Sequence, residues 1–133
     1  MKALYLTLVF VIFSSCSKSD SHERNDILGK WRLIEVLNDD GSGNASWQPV
    51  SGEMSYTLLF EDNSTFKILN NSTNCYFGEY NINNYVLTLI FSTNNCNVSK
   101  YNLEFSDNYL LLNASPFSCD EACIEKFEKL NNQ

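Results

Sequence analysis

The sequence predicts an all-β domain, and three observations support this prediction. Short runs in which apolar and polar residues alternate fill the chain from Ile27 onward. Clusters of Asn, Gly, Ser and Asp separate these runs at intervals of roughly ten positions, which is typical of a barrel or a sandwich. Aromatic residues make up 14% of the chain, and aromatic side chains suit half-buried strands.

The alternation is clearest in the middle of the chain, where apolar side chains recur at every second position. Turns are predicted at Glu61-Asp62-Asn63, at Asn83-Asn84 and at Asp107-Asn108. The apolar positions between these turns are Met54, Tyr56, Leu58 and Phe60; Phe66 and Ile68; Tyr80 and Ile82; Tyr85, Leu87, Leu89 and Phe91; and Tyr101, Leu103, Phe105, Leu110 and Leu112.

Two segments are less regular. From Trp31 to Leu37 both faces carry apolar residues, which indicates a β-bulge or a strand buried on both sides. In the segment from Ile124 to Leu130, apolar residues fall on helical spacing, and Glu125 and Lys129 form an i,i+4 pair. We nevertheless expect a final strand there, because a strand that closes the sheet removes an exposed edge.

The first sixteen residues have the order of a secretory signal. Lys2 precedes an apolar run from Ala3 to Phe13, which is followed by two serines and Cys16. The cysteine at this position resembles the lipobox of bacterial lipoproteins, which implies that residues 1–15 are removed and that Cys16 carries lipid. The apolar run is about 16 Å long as a helix, against roughly 30 Å of hydrocarbon, so it is too short for a membrane anchor. Residues 16–26 are polar and are expected to form a flexible tether to a domain at residues 27–133.

The charge balance excludes some partners. Nine Lys and Arg face sixteen Asp and Glu, for a formal net charge of −7. A chain this acidic, without a basic cluster, is not expected to bind nucleic acid or anionic lipid surfaces. The membrane is therefore expected to be reached through the covalent lipid alone, in the cell envelope, at the periplasmic or surface face of an outer membrane.

Four further cysteines indicate two disulfides in an exported domain of this size. Three connectivities are open for Cys75, Cys96, Cys119 and Cys123. We expect Cys75–Cys96 and Cys119–Cys123, because each pair would tie neighbouring elements together. The ligand spacing of a zinc site is absent, and we expect neither a metal nor a cofactor.

Several short motifs, taken in order, resemble the lipocalin-like domains of Bacteroidetes lipoproteins. The resemblance starts with a Gly-x-Trp on the first strand and covers about residues 27–130. Its motifs are Leu28-Gly29-Lys30-Trp31, Glu35-Val36-Leu37, the loop from Gly41-Ser42-Gly43 to Trp47-Gln48-Pro49-Val50, Phe60 through Thr65-Phe66, Gly78-Glu79-Tyr80, Leu87-Thr88-Leu89 and Cys119-x-x-x-Cys123.

This resemblance implies a small antiparallel up-and-down barrel of about eight strands, with Trp31 packed at its closed end. The domain is shorter than a typical ligand-carrying lipocalin. An eight-stranded barrel is only just wide enough for its own side chains or one small ligand.

The residues for common catalytic sites are absent or badly placed, and we expect no enzyme activity. The single histidine, His22, lies in the tether, so the domain has no Ser-His or Cys-His pair. Asp39-Asp40 and Glu61-Asp62 are adjacent residues beside turns, whose side chains point apart. Two acids on separate strands, such as Glu79 and Glu104, would have to face one cleft.

We therefore expect a non-enzymatic lipoprotein whose barrel binds a small hydrophobic ligand. The candidate contacts are the interior aromatic residues Tyr56, Phe66, Tyr80 and Tyr101. The alternative is a filled barrel that acts as a structural or protein-interaction module of the cell envelope. A connected cavity would favour the first, and an exposed apolar patch or strand edge would favour the second.

Overall fold

A computed structural model describes residues 26–38, 44–106, 108–114 and 123–131. The expected signal peptide, the lipidated Cys16 and the tether up to residue 25 lie outside the described residues, as do Asp39, Asp40, Asp107 and Cys119. No helix in the described part of the chain is long and apolar enough to cross a membrane.

The described chain is nearly all β, as predicted, and forms a closed antiparallel up-and-down barrel of eight strands. Each strand pairs with the next along the chain from β3 to β9, and β9 closes the barrel by pairing with β1. A ninth, short strand, β2, lies outside the closed barrel and pairs with the second half of β1. The strands are β1 (Gly29–Asn38), β2 (Ser46–Pro49), β3 (Thr57–Phe60), β4 (Thr65–Leu69), β5 (Phe77–Asn83), β6 (Val86–Phe91), β7 (Ser99–Ser106), β8 (Tyr109–Ala114) and β9 (Cys123–Leu130).

The strand β1 changes partner half-way along its length. Its first half, from Gly29 to Arg32, pairs with β3, and its second half, from Glu35 to Asn38, pairs with β2. The register with β9 shifts between Leu33 and Glu35, which confirms the predicted bulge. The expectation that Met54 belongs to a strand is wrong, because a 3-10 helix at Gly52–Met54 carries the chain from one partner of β1 to the other.

Side chains from all eight strands form the core of the barrel. Thirteen apolar residues of the described ranges are buried, and Phe66, Leu87, Leu110 and Phe127 are completely buried. Trp31 is 2% exposed, and its indole Nε1 donates a hydrogen bond of 2.7 Å to the carbonyl of Ile27. Ile27, itself fully buried, therefore covers the end of the barrel at which β1 begins. We call this the Trp31 end.

Two of the predicted turns are described, and one of them is shifted. Asp62 and Asn63 form the turn between β3 and β4, as expected. Between β5 and β6 the turn residues are Asn84 and Tyr85, with φ values of 51° and 59°, so Tyr85 is not part of the strand. Left-handed backbone at both positions is what a two-residue hairpin requires, and Asn83 still pairs with Val86.

One predicted disulfide is confirmed. Cys75 and Cys96 are bonded and join the β4–β5 loop to the β6–β7 loop at the end opposite Trp31. Cys123 is also disulfide-bonded, and its expected partner, Cys119, lies outside the described residues. The segment from Ile124 to Leu130 is the closing strand, as expected.

Candidate ligand-binding site

In the described part of the chain, one carboxyl group, that of Glu125, lies on the inner face of the barrel. On β9 the buried Phe127 faces inward, and period-two alternation places Glu125 on the same face. In the register, Glu125 lies between Val36 of β1 and Leu112 of β8, which is itself buried. The next residue, Lys126, faces outward, where its ammonium binds Glu35 at 2.7 Å.

The Glu125 carboxyl is held by a tyrosine from the other side of β1. The Tyr56 hydroxyl donates a hydrogen bond of 2.9 Å to Oε1 of Glu125. Tyr56 immediately precedes β3, and its ring packs edge-on against Phe127, with 5.7 Å between ring centroids. The backbone beneath it is fixed as well, because the amide of Leu33 donates to the carbonyl of Tyr56 at 3.0 Å.

Burial changes the ionisation of this group. Burial raises the pKa of Glu125 above its usual value, and the hydrogen bond from Tyr56 offsets part of this effect. The pKa values of Tyr56 and Tyr101 are also raised, mainly by burial and secondly by the nearby charge of Glu125. Glu125 therefore holds its proton to a higher pH than an exposed glutamate does, with two neutral phenols beside it.

Half-buried apolar side chains line the same end of the barrel. They come from β1, from β4 and from β6, and they pack against the core; they are Val36, Ile68 and Phe91. We refer to these three residues with Tyr56, Tyr101 and Glu125 as the Glu125 end. A small molecule entering here would meet an apolar wall and one cluster of polar groups, which is the composition of ligand sites in proteins.

The structure separates the four predicted contact residues into two pairs. Tyr56 and Tyr101 lie at the Glu125 end, as described above. Phe66 and Tyr80 lie deeper, among the core residues. Phe66 meets Phe91 edge-on at 5.3 Å, while Tyr80 packs against Phe60 at 5.0 Å. The Tyr80 hydroxyl donates to the carbonyl of Glu61 at 3.1 Å, so its polar group has a partner within the protein.

A cleft lies on the outside of the barrel, where β1 changes partner. This cleft has a volume of about 430 Å³, and its lining includes Arg32, Ile34, Val50, Ser55, Thr57 and Asn70. The Arg32 guanidinium binds Glu128, and the Ser55 hydroxyl donates to the carbonyl of Leu33 at 2.7 Å. Both polar groups are thus engaged within the fold.

The other carboxylates considered from the sequence do not share a cleft in the described structure. Glu79 and Glu104 are exposed on the outer face of the barrel, on strands separated by β6. Glu61 binds Thr65 and Lys67, and hydrogen bonds from these side chains lower its pKa. Among the described residues, no three His, Cys, Asp or Glu side chains are grouped as a metal site requires.

Comparison of the chain with protein-family models, with curated proteins and with solved structures finds no match.

Proposed function

We propose that the protein is a non-enzymatic binding protein that takes up a small, largely apolar ligand at the Glu125 end of its barrel. The observation that carries this proposal is the carboxyl of Glu125, which lies on the inner face of the barrel and is bound by Tyr56. Placing a carboxyl among apolar side chains is unfavourable for folding. A polar group in such a place is typical of a site that orients a ligand.

The proposal includes the location that the sequence predicts. As in the lipocalin-like lipoproteins that the sequence resembles, Cys16 would carry the lipid, and the polar tether would hold the barrel at the surface of an envelope membrane. Cys16→Ala should release the protein from the membrane fraction, and Ser17→Ala, the adjacent substitution, should leave it bound. A Cys16→Ala protein that stays in the membrane fraction would contradict the anchor.

Native mass spectrometry of the full chain, purified gently from the cells that make it, tests the ligand. We expect a discrete added mass that disappears on denaturation. Ala114→Phe provides a blocking variant, because Ala114 pairs with Tyr101 and shares its inward face. Asn113→Phe places the same ring on the outer face as a control. The added mass should be lost in the first variant and kept in the second.

A second candidate function rests on the outer surface. Three exposed apolar residues lie beside the Cys75–Cys96 disulfide: Tyr76 just before β5, Phe77 on β5 and Ile90 on β6. The ring centroids of Tyr76 and Phe77 are 5.0 Å apart. An apolar patch of this kind favours a filled barrel that serves as an interaction module of the cell envelope. A bare mass for the native protein, together with a crosslinked partner that is lost in Phe77→Ser, would support this candidate over ligand binding.

A further inference from the structure

The basic residues next to Glu125 are all turned away from it. Across the seam between β1 and β9, Lys126 binds Glu35, and Arg32 binds Glu128, both on the outer face. Lys129 lies over the Trp31 ring at 5.0 Å, at the opposite end of the barrel. The outer face of this seam thus carries two ion pairs, whereas the inward-facing carboxyl has no basic partner among the described residues.

The groups that do face Glu125 leave part of its carboxyl unused. Tyr56 donates to Oε1, and among the described residues no other donor binds the carboxyl. Within the described ranges, the titratable groups that face it are Tyr56, from the segment before β3, and Tyr101, from β7. The paired residues on β1 and β8 are Val36 and Leu112, which offer no hydrogen bond. Among the side chains that the structure describes, none donates to Oε2.

We infer that the ligand bound at the Glu125 end is a small organic cation, an amine with an apolar body. This inference rests on the proposed function and adds the chemical class of the ligand. A protonated amine would supply the missing positive charge and donate to the free carboxylate oxygen. Its apolar body would lie against Val36, Ile68 and Phe91, and the faces of the two tyrosine rings would favour a cation over an anion.

Three probes with similar bodies and different head groups test the inference. They are 2-phenylethylamine, 2-phenylethanol and 3-phenylpropionate, titrated by calorimetry into the full chain held in detergent. We expect the amine to bind at least about tenfold more tightly than the alcohol, because the hydrogen bond is then charge-assisted. The carboxylate should bind most weakly, since it meets a like charge.

Two variants locate the effect. Glu125→Gln keeps the shape of the side chain and should remove the preference for the amine over the alcohol. Glu79→Gln makes the same charge change on the outer face and should leave the preference unchanged. For the unmodified protein, the amine should bind more weakly as the pH falls and Glu125 takes up its proton, while binding of the alcohol stays constant.

The outcomes separate the inference from the proposed function. Equal binding of amine and alcohol, or an amine preference that survives in Glu125→Gln, would overturn the inference that the ligand is a cation. The proposal that the barrel binds a ligand would remain. If no probe binds and the native protein carries no added mass, both proposals are wrong. Should Glu125→Gln fail to fold, the head-group preference of the unmodified protein and its pH profile decide the question.

Discussion

Tyr56 and Glu125 are 69 positions apart in the sequence and share a hydrogen bond of 2.9 Å inside the barrel. The two residues flank β1, because β1 lies between β3 and β9 in the closed sheet. Their contact exists only once the barrel is closed, so it joins the segment before β3 to the last strand of the barrel.

The raised pKa of Glu125 makes stability depend on pH in a defined direction. A glutamate whose pKa is higher in the folded than in the unfolded protein binds more protons when the protein is folded. Its contribution to the free energy of unfolding is therefore lost as the pH rises. We expect the unmodified protein to gain stability relative to Glu125→Gln as the pH falls from neutral through the ordinary glutamate pKa of 4.5. Urea unfolding at several pH values measures this, and Glu79→Gln should retain the slope of the unmodified protein. Parallel curves for Glu125→Gln and the unmodified protein would contradict the burial of the carboxyl.

Replacing Gly78 by alanine should destabilise the barrel. Gly78 is buried on β5, and a Cβ atom there would lie 2.0 Å from the carbonyl oxygen of Ile90 on β6. Since backbone atoms must move, we expect a loss of about 3 kcal/mol. Gly52→Ala is the comparison, because nothing lies within 4 Å of its Cβ position and only its φ of +66° is unfavourable. That variant should lose about 1 kcal/mol, and an equal loss for both would contradict the close approach of β5 and β6.

Removing Trp31 should cost much of the stability of the domain. The ring is buried against Phe105, with 6.2 Å between centroids, and its Nε1 satisfies the carbonyl of Ile27. Trp31→Ala should lower the free energy of unfolding by about 3–5 kcal/mol. Trp47→Ala is a matched control, because Trp47 is 40% exposed on β2, and its loss should stay within about 0.5 kcal/mol. Chemical unfolding of both variants decides whether Trp31 closes its end of the barrel.

The Cys75–Cys96 disulfide should stabilise the Glu125 end. It closes a loop with a sequence separation of 21, for which chain entropy predicts about 3 kcal/mol. The double substitution Cys75→Ser with Cys96→Ser should lower the melting temperature. It should also lower the affinity for the proposed ligand, because the disulfide joins two loops at the Glu125 end. Cys75→Ser alone would leave a free thiol on Cys96, so the double variant is the cleaner measurement. An unchanged melting temperature would show that the two loops are held together by other contacts.

The sequence allowed the fold to be predicted better than the site. Period-two alternation placed Leu58, Leu87, Leu103 and Leu112 correctly in the core, because burial on one face of a strand leaves a local pattern. The bulge in β1 and the Cys75–Cys96 bond were also indicated by local features. Tyr85 was assigned to a strand incorrectly, because turn position depends on backbone conformation at two residues and not on their hydrophobicity.

Glu125 was missed for a different reason. A strand was expected for its segment, but which face of that strand each side chain takes was not predicted. Counting back two positions from Phe127 on a strand would have placed the carboxyl inside. Whether a buried carboxyl is tolerated depends on its partner, however, and Tyr56 is distant in sequence. No local pattern could have indicated that pair.

The pairing of the first barrel strand with the last one has a consequence for how the chain folds as it is made. Lys30 lies opposite Leu130, so the seam joins residues 100 positions apart, and most of the sheet must exist before it can close. Contacts at such separation form late and slow folding. Until β9 arrives, one edge of β1 is open to pairing with any other strand. The growing chain therefore has a period in which it needs protection from aggregation, and that period ends only when its final strand emerges.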